Sequence, residues 1–165
     1  MSKILLVYLK HPWSMAEYVE EALKKFVDVY MFDFSSTPYW GDLRFKLPFY
    51  IPKGIPVSVN KVIKKLGYTP DLVIEVTTAG QYHLIGYKKL KAKNLKVKTI
   101  LWATDIYRYD QRKFILWIKD DFDYIFVAHK NFLDLFEGKK CFWLPFAAST
   151  KVHKKFNLAK IYDVV

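Results

Sequence analysis

The stretch KILLVYL, residues 3–9, places six apolar side chains in a row after a single lysine. A strand that is apolar on consecutive positions has to be covered on both faces, which is typical of a parallel sheet between layers of helices. The run is far shorter than the roughly 20 residues that cross a bilayer. It therefore predicts a buried strand in the core of an α/β domain.

A helical pattern follows this strand in SMAEYVEEALKKF, residues 14–26. Ser14 is a plausible N-cap for it. Its apolar side chains recur at helical spacing: Met15, Tyr18, Val19, Ala22 and Phe26. A strand followed by an amphipathic helix is the first half of a β–α–β unit.

The same alternation continues along the chain. Further strands are predicted at residues 27–34, 70–80, 97–104, 122–128 and 141–145, and further helices at 58–67, 111–120 and 129–138. We expect an α/β fold that is Rossmann-like and doubly wound, with a mainly parallel sheet of five to six strands and helices on both faces. With 165 residues, 52% of them hydrophobic, the chain has enough material for one domain.

The net charge of +11 comes almost entirely from lysine. Such a surplus attracts polyanions, for which the candidates are nucleic acid, anionic lipid head groups and phosphorylated sugars. A lysine-rich and glutamate-rich surface is also typical of thermophilic proteins. No secretory signal follows the first residues, so we expect a cytoplasmic protein.

Several chemistries lack their motif. A single cysteine, Cys141, excludes an internal disulfide and a cysteine cluster for zinc, and we interpret it as a small apolar residue of a late strand. LKHPWS follows the first strand where dinucleotide enzymes carry G-x-G-x-x-G, and neither a phosphate loop, an H-E-x-x-H motif nor a G-x-S-x-G elbow occurs. We expect no cofactor and no metal.

Ligands of doubly wound sheets bind outside the carboxyl ends of the strands. The corresponding loops begin at Lys10, Ser35, Thr77, Thr104 and His129. They combine histidines, hydroxyls and aromatic rings, a mixture that suits sugars and nucleobases. One irregular segment, residues 35–58, contains four prolines and five aromatic residues, and we interpret it as an ordered excursion that caps the sheet or lines a groove.

The second half of the chain contains VKTILWATDIYR, FDYIFVAHKNFLDLFEGKKCFWLPFAAST, VHKKFN and YDVV. In this order they resemble the end of the N-terminal domain of CgeB-like glycosyltransferases, which have the two-domain GT-B fold. The family's Trp-x-x-Asp element is matched by Trp102 and Asp105, and its Phe-Asp-Tyr strand start by residues 122–124. Ile106 stands where the family usually has a second acidic residue, so no paired-carboxylate role is implied.

The remaining matches follow in chain order. The Leu-Pro-Phe-Ala-Ala turn is matched by residues 144–148, the histidine by His153, and the Tyr-Asp-Val strand by residues 162–164. The resemblance covers residues 97–165. It implies that residues 1–158 form the acceptor-side domain and that residues 159–165 begin a C-terminal domain that binds the nucleotide-sugar donor. This chain would then supply the acceptor side of the cleft and be inactive alone.

Sugar transfer needs an oriented acceptor hydroxyl and a base that takes its proton. We rank Asp105 first as a catalytic residue, to orient a base or the acceptor, and His11 second, as the general base after the first strand. Neutral or charged contacts to the acceptor are predicted from Thr77, Thr78, Gln81, Arg108, His129 and Lys130. Arg108 and Lys130 could hold an anionic acceptor, and solvated side chains are their alternative. The alternatives are a surface position for His11, a helix N-cap or turn carboxylate for Asp105, and capping or surface placement for His129.

A second function remains open from the sequence. YKKLKAKNLKVK, residues 87–98, is a dense basic run that favours a freestanding α/β module binding an anionic membrane surface or nucleic acid without catalysis. Nucleic-acid grooves combine such charge with aromatic rings, and Tyr87 is the single ring in this run. We therefore regard nucleic acid as the less favoured partner.

Overall fold

The computed structural model describes residues 2–8, 15–33, 57–77, 84–93 and 96–147. Six strands form the main sheet: β1 (Lys3–Tyr8), β2 (Asp28–Asp33), β4 (Leu72–Thr77), β6 (Lys98–Ala103), β7 (Tyr124–Val127) and β8 (Cys141–Trp143). A two-stranded sheet pairs β3 (Val57–Ser58) with β5 (Leu84–Ile85). The helices are α1 (Ala16–Leu23), α2 (Val59–Leu66), α3 (Tyr87–Lys93) and α4 (Tyr109–Ile118), with 3₁₀ helices at Lys119–Asp121 and Lys130–Phe136.

The strand order of the main sheet is β2-β1-β4-β6-β7-β8, and every pairing is parallel. The order reverses between β1 and β4, since the chain moves outward to β2 and then continues on the opposite side of β1. The expected Rossmann-like α/β fold with a parallel sheet is confirmed. Ligands of such sheets bind at the carboxyl edge beside the reversal.

Helices lie on both faces of the sheet. The buried face of α1 packs against Leu6, Tyr8, Val76 and Trp102, whereas α2, α3 and α4 pack against the opposite face. Right-handed connections explain this division: β1–α1–β2 runs in one direction across the sheet, while β4–α3–β6 and β6–α4–β7 run in the other. The larger core therefore lies on the side that carries three helices.

That larger core follows the two-residue period of the strands. Leu5, Val73, Leu101 and Ile125 point into it from four neighbouring strands, and all four are at most 1% exposed. The helices contribute Val59, Val62, Tyr87, Leu90 and Ile115. Burial of these apolar side chains is the main force that holds the sheet and the helices together.

One polar pair lies within this core. Glu75 of β4 and Tyr87 of α3 are 1% and 2% exposed, and the Tyr87 hydroxyl donates a short hydrogen bond to a carboxylate oxygen of Glu75. Burial and the neighbouring Glu75 charge raise the pKa of Tyr87 well above its ordinary value. The bond ties α3 to the central strand.

Carboxylates at the amino edge of the sheet join the strand starts. Asp71 Oδ2 accepts a hydrogen bond of 2.8 Å from the Lys3 amide. Asp123 Oδ2 accepts bonds of 2.9 Å from the Thr99 amide and 3.1 Å from the Thr99 hydroxyl. The backbone amides at the start of a strand often have no hydrogen-bond partner in the neighbouring strand. The carboxylates of Asp71 and Asp123 accept hydrogen bonds from two such amides.

Several sequence predictions are confirmed and some are wrong. Helix α2 ends at Gly67, whose φ of 75° is left-handed, as predicted for a glycine stop. The predicted helix at residues 129–138 is a 3₁₀ helix. Of the side chains placed at helical spacing in residues 14–26, Tyr18 and Ala22 are exposed within α1, and Phe26 is 77% exposed and lies beyond the end of α1 at Leu23. Helix α3 was not predicted, because its lysines obscure the apolar pair Tyr87 and Leu90.

Other predictions concern residues outside the described ranges. They include the Ser14 cap, the domain boundary at residue 158 and most of the irregular segment 35–58, of which Val57 and Ser58 form β3. None of the helices within the described ranges combines the length and the apolarity needed to span a membrane.

Candidate binding site at the carboxyl edge of the sheet

The carboxyl ends of β4 and β6 are joined by threonine hydroxyls. Thr77 Oγ1 donates to the carbonyl oxygen of Trp102 at 3.1 Å, and Thr104 Oγ1 donates a short hydrogen bond to the carbonyl oxygen of Thr77. Both threonines are at most 3% exposed. The hydroxyl of Thr77, a predicted substrate contact, therefore donates its proton to a neighbouring strand of the sheet.

Asp105 lies in the turn between β6 and α4. It is half-buried, and its carbonyl oxygen accepts a 3.0 Å bond from the amide of Arg108, which is exposed at the N-cap position of α4. Ile106 between them is fully buried in the core. A carboxylate at this position would be buried among apolar side chains, which is unfavourable without a hydrogen-bond partner.

His129 follows β7 and lies among three aromatic rings. Its ring centroid is 5.3 Å from that of Tyr107, 5.9 Å from that of Phe146 and 6.3 Å from that of Phe132, each with an edge-to-face geometry. The His129 Nε2 atom is buried and has no hydrogen-bond partner among the described residues. Leaving such a nitrogen unpaired costs about 1–3 kcal/mol.

Arg112, which the sequence analysis did not select, belongs to the same group. Its guanidinium carbon lies 5.2 Å from the centroid of the Phe132 ring, and Nη2 donates a marginal 3.5 Å bond to the Tyr107 carbonyl. The buried Arg112 Nε likewise has no hydrogen-bond partner in the described part of the chain. We call Arg112, His129, Tyr107, Phe132 and Phe146 the Arg112–His129 cluster.

Gln111, next to Arg112 in α4, has the same deficit. Its side chain is fully buried, and neither the amide nitrogen nor the amide oxygen has a hydrogen-bond partner within the described ranges. The sequence offered a signal for both residues, because α4 starts directly after the carboxyl-edge turn. Its first turn is therefore at the predicted site.

Aromatic rings around the cluster are half-exposed. Tyr107 is 55%, Trp143 50% and Phe146 46% exposed. The Nζ atom of Lys130, a predicted substrate contact, lies 5.6 Å from the centroid of the Trp143 ring. Exposed rings beside cationic side chains can pack against a sugar ring while the charges fix its orientation.

The predicted site residues divide into two groups. Asp105, Arg108, His129 and Lys130 all lie at the carboxyl edge, in the loops after β6 and β7, which are paired neighbours. His11, Thr78 and Gln81 lie outside the described residues. By sequence they follow β1 and β4, the two strands that flank the reversal of strand order.

A surface depression and the Cys141 thiol that lines it lie away from this edge. A depression of about 470 Å³ opens at the amino end of β8, lined by Leu133, Asp134, Phe136, Glu137, Gly138, Lys139 and Cys141. Burial raises the pKa of the Cys141 thiol, which disfavours a thiolate nucleophile there. Neither Asp105 nor the Arg112–His129 cluster borders this depression, so we do not assign the predicted chemistry to it.

Metal chemistry has no assembled ligand set within the described ranges, where no group of three or more His, Cys, Asp or Glu side chains could hold an ion.

The basic run lies on α3 and the start of β6. Lys88, Lys89, Lys96 and Lys98 are exposed in it, whereas Tyr87 is buried. Lys88 also forms a 3.3 Å ion pair with Asp121.

No family model matches the chain, and neither a curated protein nor a solved structure does. The fold and the chemistry of the carboxyl edge are therefore the features from which a function can be inferred.

Proposed function

We propose that this chain is the acceptor-side domain of a GT-B glycosyltransferase, which moves a sugar from a nucleotide-sugar donor to an acceptor hydroxyl. The observation that carries the proposal is the carboxyl edge of the parallel sheet. There a half-buried carboxylate, Asp105, follows β6 next to the loop of β7, where half-exposed aromatic rings surround His129.

The chemistry of transfer divides between two kinds of group. Aromatic faces pack against the apolar C–H groups of a sugar, and carboxylates accept hydrogen bonds from its hydroxyls. In the proposal Tyr107 and Phe146 supply the rings and Asp105 orients the acceptor hydroxyl. His11, from the loop after β1, takes the proton of that hydroxyl as general base.

The donor is assigned to a partner domain rather than to this chain. Dinucleotide-binding folds hold a diphosphate on a glycine-rich loop after the first strand, and LKHPWS after β1 contains no glycine. Transition-state stabilisation requires the leaving diphosphate and the acceptor to be held together. The isolated chain therefore binds acceptor and does not turn over donor.

Saccharide binding tests this function. Titration of mono- and disaccharides, followed by NMR shifts of the Tyr107 and His129 amides, is expected to give millimolar binding that weakens at least about fivefold in Asp105→Asn. The matched control is Asp134→Asn, which changes an exposed carboxylate on the 3₁₀ helix after β7. Sub-micromolar binding of a uridine or guanosine diphosphate sugar, or multiple turnover by this chain alone, would contradict the acceptor-side assignment.

The alternative function, a basic module for an anionic membrane surface or nucleic acid, is supported by the four exposed lysines of the run 87–98. The buried Tyr87 offers no ring for base stacking. A variant with Lys88, Lys89, Lys96 and Lys98 changed to Gln separates the two functions. Its control changes four exposed lysines elsewhere: Lys25, Lys61, Lys64 and Lys65.

The readout for this pair of variants is salt-dependent retention on heparin and on vesicles with anionic lipid. If the basic module is the function, retention falls much more in the run variant than in the control. Equal, weak loss in both variants reflects net charge alone and leaves the acceptor-side domain as the function.

A further inference from the structure

We propose that the Arg112–His129 cluster binds the negatively charged group of the acceptor, so that the acceptor is an acidic sugar, either a uronic acid or a sugar phosphate. The inference rests on the proposed function, since that function makes the ligand of this edge a sugar. It adds the charge of the ligand and the residues that recognise it.

Unpartnered nitrogens are the first support. Arg112 Nε and His129 Nε2 are both buried without a hydrogen-bond partner among the described residues. Both side chains lie beside the Phe132 ring, and both approach Tyr107, so they share two neighbouring residues. An oxyanion supplies an acceptor to the Arg112 N–H group and, in the tautomer that is protonated at Nε2, to His129. A planar guanidinium suits a carboxylate or phosphate in particular.

The local charge is the second support. The contacts that the structure gives for Arg112, His129 and Lys130 are to aromatic rings and to one backbone carbonyl. Carboxylates nearby in sequence serve other partners: Asp120 pairs with Lys139, Asp121 with Lys88, and Asp123 with Thr99. Within two residues of a cluster member along the chain, the acidic residues are Asp105, Asp110 and Asp134, and the basic residues are Arg108, Arg112, Lys113 and Lys130, an excess of one positive charge.

The shape of the ligand follows from the rings. Tyr107 and Phe146 flank His129 from two sides, and about half of each side chain is open to solvent. A sugar ring can pack on such a surface while its charged substituent binds the exposed end of the Arg112 guanidinium. A free inorganic anion would leave the rings uncovered, and a neutral sugar would leave the nitrogens unpaired.

Four probes test the inference in the chain as it stands: glucuronate, glucose 6-phosphate, neutral glucose and inorganic phosphate. At low ionic strength we expect at least one acidic sugar to bind about tenfold or more tightly than glucose, because charge-assisted bonds to arginine are among the stronger ones. Arg112→Gln is expected to remove this preference. Lys64→Gln, which deletes an exposed charge on α2, is the matched control and keeps it.

The outcomes separate this inference from the proposed function. Equal binding of glucose and the acidic sugars, or an unchanged preference in Arg112→Gln, overturns the inference and leaves the acceptor-side function in place. If no saccharide binds, both fail, even where inorganic phosphate binds. If Arg112→Gln does not fold by circular dichroism, His129→Gln and the direct ligand-induced shift of the His129 ring signals decide in its place, and an unmoved ring signal overturns the inference.

Discussion

The two edges of the same sheet use opposite hydrogen-bonding chemistry. At the amino edge, Asp71 and Asp123 accept bonds from strand-start amides. At the carboxyl edge, donors satisfy strand-end carbonyls: the Thr104 hydroxyl bonds Thr77, and the indole nitrogens of Trp102 and Trp143 bond the carbonyls of Leu144 and Ala128 at 3.2 Å. Parallel strands point their free N–H groups one way and their free C=O groups the other, which accounts for this difference.

This difference teaches which edge is available for a ligand. Acidic side chains at the amino edge are occupied by the backbone, so that edge contributes stability. The carboxyl edge recruits donors, and two of its nitrogens, on Arg112 and His129, have no partner within the described ranges. A donor-rich edge with open rings suits hydroxylated or anionic ligands.

The largest expected effect is at the amino edge. Asp123→Ala removes two hydrogen bonds to a carboxylate and leaves the amide of the fully buried Thr99 unpaired. We expect the free energy of unfolding to fall by about 2–3 kcal/mol, measured by urea denaturation. Asp134→Ala, an exposed control, should change it by less than about 0.5 kcal/mol. An equal effect of both changes would contradict the structural role of the amino edge.

A smaller effect is expected when the hydrogen bond from the Thr104 hydroxyl to the Thr77 carbonyl is removed at the carboxyl edge. Thr104→Val deletes the hydroxyl that bonds the Thr77 carbonyl while keeping the shape of the side chain. Loss of one neutral hydrogen bond should lower the free energy of unfolding by about 1 kcal/mol. Thr69→Val, at an exposed position, serves as the control in the same urea series. A loss as large as that of Asp123→Ala would remove the distinction between the two edges.

A still smaller effect is expected for Arg112→Gln without ligand. The change loses a cation–π contact with Phe132 and also removes an unpartnered buried nitrogen, so the two contributions oppose each other. The free energy of unfolding should change by less than about 0.5 kcal/mol. A loss above about 1 kcal/mol in thermal or urea unfolding would make Arg112 a structural residue and weaken its assignment to ligand binding.

The last prediction concerns reactivity at the amino edge rather than stability. Burial raises the pKa of the Cys141 thiol, so the thiolate is scarce at neutral pH and becomes abundant only as the pH rises through that raised value. Iodoacetamide should therefore modify Cys141 slowly at pH 7 and progressively faster above the range of an ordinary thiol. Mass spectrometry of timed samples measures this, and fast modification at pH 7 would contradict a purely structural thiol.

Prediction from the sequence worked best where burial repeats regularly. Runs such as residues 4–8 and 100–103 are apolar on both faces, so they predicted strands of a parallel sheet. The sequence prediction missed helix α3, where most residues are lysines and the core contacts come from Tyr87 and Leu90. It also placed Phe26 in a helix, because the helical pattern of the sequence continues beyond the end of α1. Helix ends depend on contacts that periodicity does not report.

The candidate site was predictable in its position and only partly in its members. Asp105, Arg108, His129 and Lys130 follow strands directly, so the rule for parallel sheets placed them at one edge. Arg112 lies in the first turn of α4, and Phe146 follows β8, a strand whose loop was not among the predicted site loops. They join His129 through the packing of α4 and of the chain after β8.

The sequence by itself determined the fold class, because consecutive apolar strands and amphipathic helices allow few arrangements other than a covered parallel sheet. It also determined which loops share the carboxyl edge. Only the tertiary structure decided which donors remain unpaired. The hydroxyls of Thr77 and Thr104 donate hydrogen bonds to backbone carbonyls of neighbouring strands, whereas the side chains of Arg112 and His129 pack against aromatic rings. These partners lie 15 or more residues apart in the chain, so the sequence alone does not pair them.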